Sequence, residues 1–171
     1  MKSLIEKVEG LAKDLVEACI QKQLKIVFAE SMTGGLLASL VTSIPDASKM
    51  LSESFVVYSE QAKINILNCK RDTIDKHSVY SKDVIIEMLE GLKTISKADI
   101  LVAVSGIAGP KTYNDLEVGT VYMGIEIHGK RHIYKEVFHG NRKTITYKTS
   151  QYIFNTIINN GWMSRIGVFD I

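Results

Sequence analysis

Cysteine and proline are both scarce. Cys19 and Cys69 are the two thiols among 171 residues, too few for the disulfide framework of a small secreted scaffold. They read as reduced side chains of a cytosolic protein. Two prolines, with 46% hydrophobic and 23% charged residues, exclude a disordered or fibrous chain. No apolar run approaches the roughly 18 residues of a membrane span. The opening MKSLIEKVEGLAKDLVEA carries a charge every few residues and has no continuous apolar core of a signal peptide. The expectation is a cytoplasmic protein with no membrane partner. Neither sign of charge dominates: 21 basic against 19 acidic residues leave a net +2. Such a balance gives no reason to expect a nucleic-acid partner.

Several chemical signatures are missing as well. There is no Walker A lysine motif and no full dinucleotide fingerprint. His128 and His132 are four apart but straddle Gly129, so they do not share a helix face as a metal pair would. No metal or organic cofactor is expected. A Ser-His-Asp triad has no local signature here.

What is present alternates between two periodicities. Leu4, Val8, Leu11, Leu15 and Cys19 draw one stripe on a helix over 3–21. Lys25 to Ala29 is a short buried strand ending at Glu30-Ser31, and a second helix opens at Thr33 and stops before Pro45. Phe55 to Tyr58 predicts another strand, followed by helices over 59–67 and 83–95. Ile100 to Val104 predicts a third buried strand, ending in Ser105-Gly106-Ile107-Ala108-Gly109-Pro110. Val118–Ile127 and His132–Phe138 read as a hairpin around Gly129-Lys130-Arg131. A last helix spans 143–158, with Gly161 as its stop. The expected fold class is α/β: a single layered α/β/α domain over 1–171 with a mixed sheet. A chain of this length can bury roughly 70% of its unfolded surface.

In such sheets, sites form where strands end and helices begin. Ser31 sits at such a junction, with Gly34 and Gly35 close behind. Glycines permit close backbone approach, and the first N–H groups of a helix can hold an oxyanion. The competing local reading is that Ser31 or Thr33 only caps the helix. Lys63 falls in the first turn of its helix, where the macrodipole disfavours a charged lysine. A neutral lysine is a general base, which a serine nucleophile needs. Tyr58 stands at the end of its strand, Ser105-Gly106-x-x-Gly109 resembles half of a phosphate loop, and Arg142 can bond phosphate or carboxylate in two prongs. Turn chemistry and solvated surface positions would select the same residue types.

Together, Ala29-Glu30-Ser31-Met32-Thr33-Gly34-Gly35, Val57-Tyr58-Ser59-Glu60-Gln61-Ala62-Lys63 and Val104-Ser105-Gly106-Ile107-Ala108-Gly109-Pro110, followed by Val118-Gly119-Thr120-Val121-Tyr122, resemble the CinA C-terminal domain. These are the PncC-type nicotinamide-nucleotide amidases, also described as competence and damage-inducible proteins. The resemblance runs from about Leu4 to Ile158. It implies hydrolysis of nicotinamide mononucleotide to nicotinate mononucleotide and ammonia, without a cofactor. It implies Ser31 as nucleophile, Lys63 as its base and Tyr58 beside them. Thr33, Gly34, Gly35, Ser105, Gly106 and Arg142 would then surround the substrate, with the N–H groups near Thr33, Gly34 and Gly35 holding the oxyanion. It also implies a homodimer or higher homo-oligomer.

The departures from the family pattern are local. Met32 stands for the usual cysteine, Ser105 for threonine, and Asn141 for the aspartate of Gly-Asp-Arg. Lys111-Thr112-Tyr113-Asn114-Asp115-Leu116-Glu117 replaces a glycine-rich stretch. The N-terminal domain that many relatives carry is not expected in this chain. The altered loop motivates a second reading, a nucleotide-binding module of the same fold with weak or no turnover.

Overall fold

The computed structural model describes residues 1–159; Gly161, the expected helix stop, lies outside them. A five-stranded sheet forms the middle layer. Its strands are β1 (Ile26–Glu30), β2 (Leu51–Val56), β3 (Ile100–Gly106), β4 (Thr120–Ile127) and β5 (Lys130–Val137), in the order β2-β1-β3-β4-β5. β1 pairs parallel to β2 and β3, whereas β3–β4 and β4–β5 are antiparallel. The mixed sheet follows from the connections. Helices carry the chain across the parallel strands, and a tight turn joins the last two.

The helices are α1 (Lys2–Gln21), α2 (Leu36–Thr42), α3 (Glu60–Leu67), α4 (Arg71–His77), α5 (Lys82–Ile95) and α6 (Arg142–Asn159). Every residue of β1 and β3 is buried, and the pleat sends alternate side chains to opposite faces. Ile26, Phe28 and Val102 pack with α1, α2 and α6 through Leu15, Leu37 and Phe154. Val27, Ala29 and Leu101 pack with the second layer through Leu67, Met88 and Leu89. The expected α/β/α arrangement is present.

Right-handed crossovers explain the two layers. From β1 the chain moves outward through α2 to β2; from β2 it returns past β1 through α3–α5 to β3. Travel in opposite directions places the helices on opposite faces. A crevice therefore opens beyond the carboxyl ends of β1 and β3, where the connections diverge.

Some boundaries differ from expectation. β2 begins at Leu51 and ends at Val56, so Tyr58 lies beyond the strand. It is an edge strand whose Ser52 and Glu53 are exposed, which hides its start from an apolar pattern. α4 was not expected at all; it is a single short amphipathic segment with one buried residue, Ile74. The hairpin turn is His128-Gly129, not Gly129-Lys130-Arg131. Both turn residues have positive φ (47° and 77°), as a two-residue primed turn requires, and Ile127 pairs with Lys130.

Candidate active site

Ser31 follows β1 directly, and its backbone is fixed by both neighbouring strands. Ser31 N–H donates to the Val104 carbonyl at 3.1 Å, and Val57 N–H donates to the Glu30 carbonyl at 2.8 Å. The ladder thus continues past the last residue of the strand and presents the Ser31 side chain to the crevice.

The expected helix start at Thr33 is displaced to Leu36. Gly34 and Gly35 adopt positive φ, 61° and 95°, a conformation costly for other residues. They turn the chain so that the α2 N-terminus faces back toward β1. There the buried Glu30 carboxylate accepts N–H bonds from Gly35 (3.0 Å), Leu37 (3.1 Å) and Ala38 (2.9 Å). A negative charge on a helix N-terminus satisfies orphan donors and opposes the macrodipole.

This corrects the expected oxyanion donors. The Gly35 N–H is held by Glu30, and the Gly34 N–H donates to the Ser31 carbonyl at 3.0 Å. The N–H groups of Met32 and Thr33 have no partner among the described residues. The Thr33 hydroxyl is buried and also without one.

Lys63 reaches the same point from the opposite side of β2's end. Ser59 caps α3 by accepting the Ala62 N–H at 3.0 Å, which places Lys63 one turn into the helix. The side chain is only 1% exposed. Its Nζ lies 2.9 Å from Ser31 Oγ and donates to the Val57 carbonyl at 2.8 Å. Among the described residues no carboxylate bonds it. Burial lowers its pKa from 10.5 to about 8, against smaller raising effects of Cys69 and Glu60. A neutral amine bonded to one carbonyl keeps its lone pair for the serine hydroxyl.

The cavity over this pair measures about 720 Å³, within the range of small-ligand sites. Ser31, Lys63, Tyr58, Gly106 and Arg142 all line it. Tyr58 is at its rim, 61% exposed, and does not bond Lys63, whose partners are Ser31 and Val57. Arg142 opens α6, and its guanidinium donates to the Gly109 carbonyl while facing the cavity.

Four expected residues are absent from the lining. Thr33, Gly34 and Gly35 form the turn behind Ser31. Ser105 is fully buried, and its hydroxyl donates to the Val79 carbonyl at 3.1 Å. It supports the wall from behind because alternate residues of β3 point away from the crevice.

Glu60, Lys111 and Tyr113, which the sequence places in its second motif and in the altered loop, also line the cavity, and Tyr80 joins them without any sequence signal. Tyr80 and Tyr113 meet edge to face with ring centroids 5.0 Å apart. Tyr113 belongs to the loop of residues 111–117. Tyr80 stands just before the cap residue Ser81 of α5 and carries no periodic signal.

Comparison with known proteins agrees with this fold. The sequence profile of the CinA C-terminal domain matches residues 8–160. A CinA-like protein of Petrotoga mobilis is 38% identical over 152 residues, 88% of this chain and 38% of its own length. A Clostridium botulinum protein described as competence-damage inducible is 38% identical over 138 residues, 80% of this chain and 34% of its own. The chain thus spans little more than a third of these relatives. Among solved structures, a CinA superfamily protein of Klebsiella pneumoniae superposes with a TM-score of 0.86 at 26% identity, covering 92% of this chain and 98% of that one. One of Escherichia coli gives 0.84 at 30% identity, covering 88% of each. Sequence motifs, sheet order and the profile match over most of the chain lead to one assignment: the chain belongs to the CinA C-terminal domain family.

Proposed function

We propose that the chain hydrolyses the carboxamide of nicotinamide mononucleotide, releasing ammonia, with Ser31 as nucleophile and Lys63 as base. The observation that carries this reading is the buried 2.9 Å contact between Lys63 Nζ and Ser31 Oγ, with an amine whose pKa of about 8 leaves a working neutral fraction near neutral pH.

Neutral Lys63 takes the Ser31 proton as Oγ attacks the carboxamide carbon. The Val57 carbonyl holds one Nζ hydrogen and so orients the lone pair. The oxyanion of the tetrahedral intermediate is received by the N–H groups of Met32 and Thr33, which have no partner among the described residues, an interaction worth roughly 3 kcal/mol per donor. Protonated Lys63 then returns its proton to the departing nitrogen, which leaves as ammonia. Water enters, Lys63 takes its proton, the acyl–Ser31 bond breaks, and the lysine proton restores the serine hydroxyl. The cationic Arg142 and Lys111 at the rim favour the 5′-phosphate.

The test is ammonia release from nicotinamide mononucleotide by the purified chain beside Ser31→Ala. Loss of release in the variant supports the scheme; release at the wild-type rate refutes it. The second reading, a binding module, is favoured by the changed 111–117 loop. It predicts that the wild-type chain binds the nucleotide and releases no ammonia.

A further inference from the structure

We infer that Tyr113 and Tyr80 form an electron-rich wall that selects the oxidised, positively charged pyridinium ring of the substrate over its reduced, uncharged form. The inference rests on the amidase reading and adds to it a specificity device built by the loop of residues 111–117.

The wall is preformed. Tyr113 is carried on a small hairpin in which Tyr113 and Leu116 exchange backbone bonds of 3.3 and 3.0 Å. Asn114 takes a left-handed conformation at φ 49° to close the turn. The base of the loop is tied down where the Arg142 guanidinium bonds the Gly109 carbonyl. The far ring is fixed from another layer, since Tyr80 leads into α5 and packs against the second core. Their edge-to-face contact, with an interplanar angle of 78°, joins two segments with no strand or helix in common.

The surroundings favour a cation. Both rings line the cavity, as do Tyr58 and the Glu60 carboxylate. Burial raises the Tyr80 hydroxyl above its ordinary pKa, and Tyr113, Tyr58 and Glu60 push it the same way against Arg142. These groups therefore share one neighbourhood. Aromatic faces attract a cation through the ring quadrupole; the Glu60 carboxylate is already paired with Arg71 at 2.8 Å, so the two rings carry the preference. Arg142 stands on the same rim with the opposite charge. A substrate carrying a ring cation at one end and a phosphate at the other matches that division. A dihydropyridine ring is neither charged nor aromatic, and it forfeits the cation–π attraction.

The experiment measures kcat/KM for ammonia release, and calorimetric binding, with oxidised and reduced nicotinamide mononucleotide. The proteins are wild type, Tyr113→Ala, Tyr113→Phe and Tyr80→Phe. Wild type should prefer the oxidised form. Tyr113→Ala should lose about tenfold for the oxidised form, mainly in KM, and within twofold nothing for the reduced form. Both phenylalanine variants keep a ring face and should retain most of the preference. Equal losses on both forms in Tyr113→Ala, or no initial preference, would overturn the wall. Should wild type release no ammonia, the amidase reading fails by itself. The oxidised-to-reduced binding ratio then decides on the wall, and absence of binding to either form rejects it.

Discussion

Lys63 Nζ and Ser31 Oγ are 2.9 Å apart across 32 residues of chain, and the contact is assembled by two strand ends rather than by local sequence. β1 delivers the serine and the turn after β2 delivers α3. The parallel β1–β2 pairing brings Ala29 beside Phe55 and Glu30 beside Val56, so both deliveries arrive at the same level.

The first prediction concerns pH. Burial holds the Lys63 amine near 8, and the base works only when neutral. Ammonia release, as kcat/KM, should rise tenfold per pH unit below that value and level off above it, with an apparent pKa of about 8. A rate independent of pH between 6 and 9 would remove lysine from the role.

The same shift has a stability consequence. The folded pKa is lowered, so between about 8 and 10.5 the unfolded chain binds more protons than the folded one. Stability must therefore rise with pH across that window. Below it the buried amine costs on the order of 3 kcal/mol. Lys63→Met should be more stable than wild type at pH 7, and denaturant titration at pH 7 and pH 10 checks both sign and window.

Glu30 predicts a coupled loss. Its carboxylate accepts three N–H bonds from the turn and helix behind Ser31. Glu30→Ala should lower stability by about 3 kcal/mol and reduce kcat by loosening the Ser31 turn. Glu30→Gln keeps acceptor capacity and should recover part of both. Thermal melts and ammonia release read the two effects together.

Glu126 offers a test away from the cavity. It is 1% exposed on β4 and meets Lys93 at 2.7 Å and Arg131 at 2.6 Å. Burial alone would raise its carboxyl, but bonds from Lys93 and Arg131 outweigh that and hold it below the ordinary 4.5. A lowered folded pKa gives stability that is present above pH 4.5 and lost as pH falls through the folded value. Glu126→Gln should cost roughly 1–3 kcal/mol at pH 7 and much less in acid, by denaturant midpoints at both pH values.

Packing around the lysine helix can be probed at Gly91. A Cβ there would stand 2.2 Å from the Leu67 carbonyl oxygen, on the last residue of α3. Gly91→Ala must push α3 from α5, destabilising by roughly 1–3 kcal/mol, and should lower activity because α3 carries Lys63. A melting temperature equal to wild type would contradict the packing.

The sequence was most legible where burial is complete. β1 is apolar up to Ala29 and β3 up to Val104, and the α1 stripe of Val8, Leu15 and Cys19 is buried as its spacing requires. It was least legible at edges and in turns. β2 exposes Ser52 and Glu53, and α4 buries one side chain, so neither leaves a clear period. Within the site, Ser31 and Lys63 could be paired only through family likeness, because their contact is tertiary. The Glu30 cap could not be foreseen from spacing, since it depends on Gly34 and Gly35 reversing the chain. Ser105 is misplaced for a simpler reason: its strand runs two residues past Val104, to Gly106, and the pleat turns the hydroxyl toward Val79.

The central claim is that the Lys63 amine drives the Ser31 hydroxyl onto a carboxamide. The most direct measurement is ammonia release from nicotinamide mononucleotide by Lys63→Met at pH 8.5, on protein shown by its melt to be folded. The account predicts a fall of about 10²–10⁴ in kcat with melting at or above the wild-type temperature. A folded Lys63→Met protein that releases ammonia as fast as wild type would contradict it.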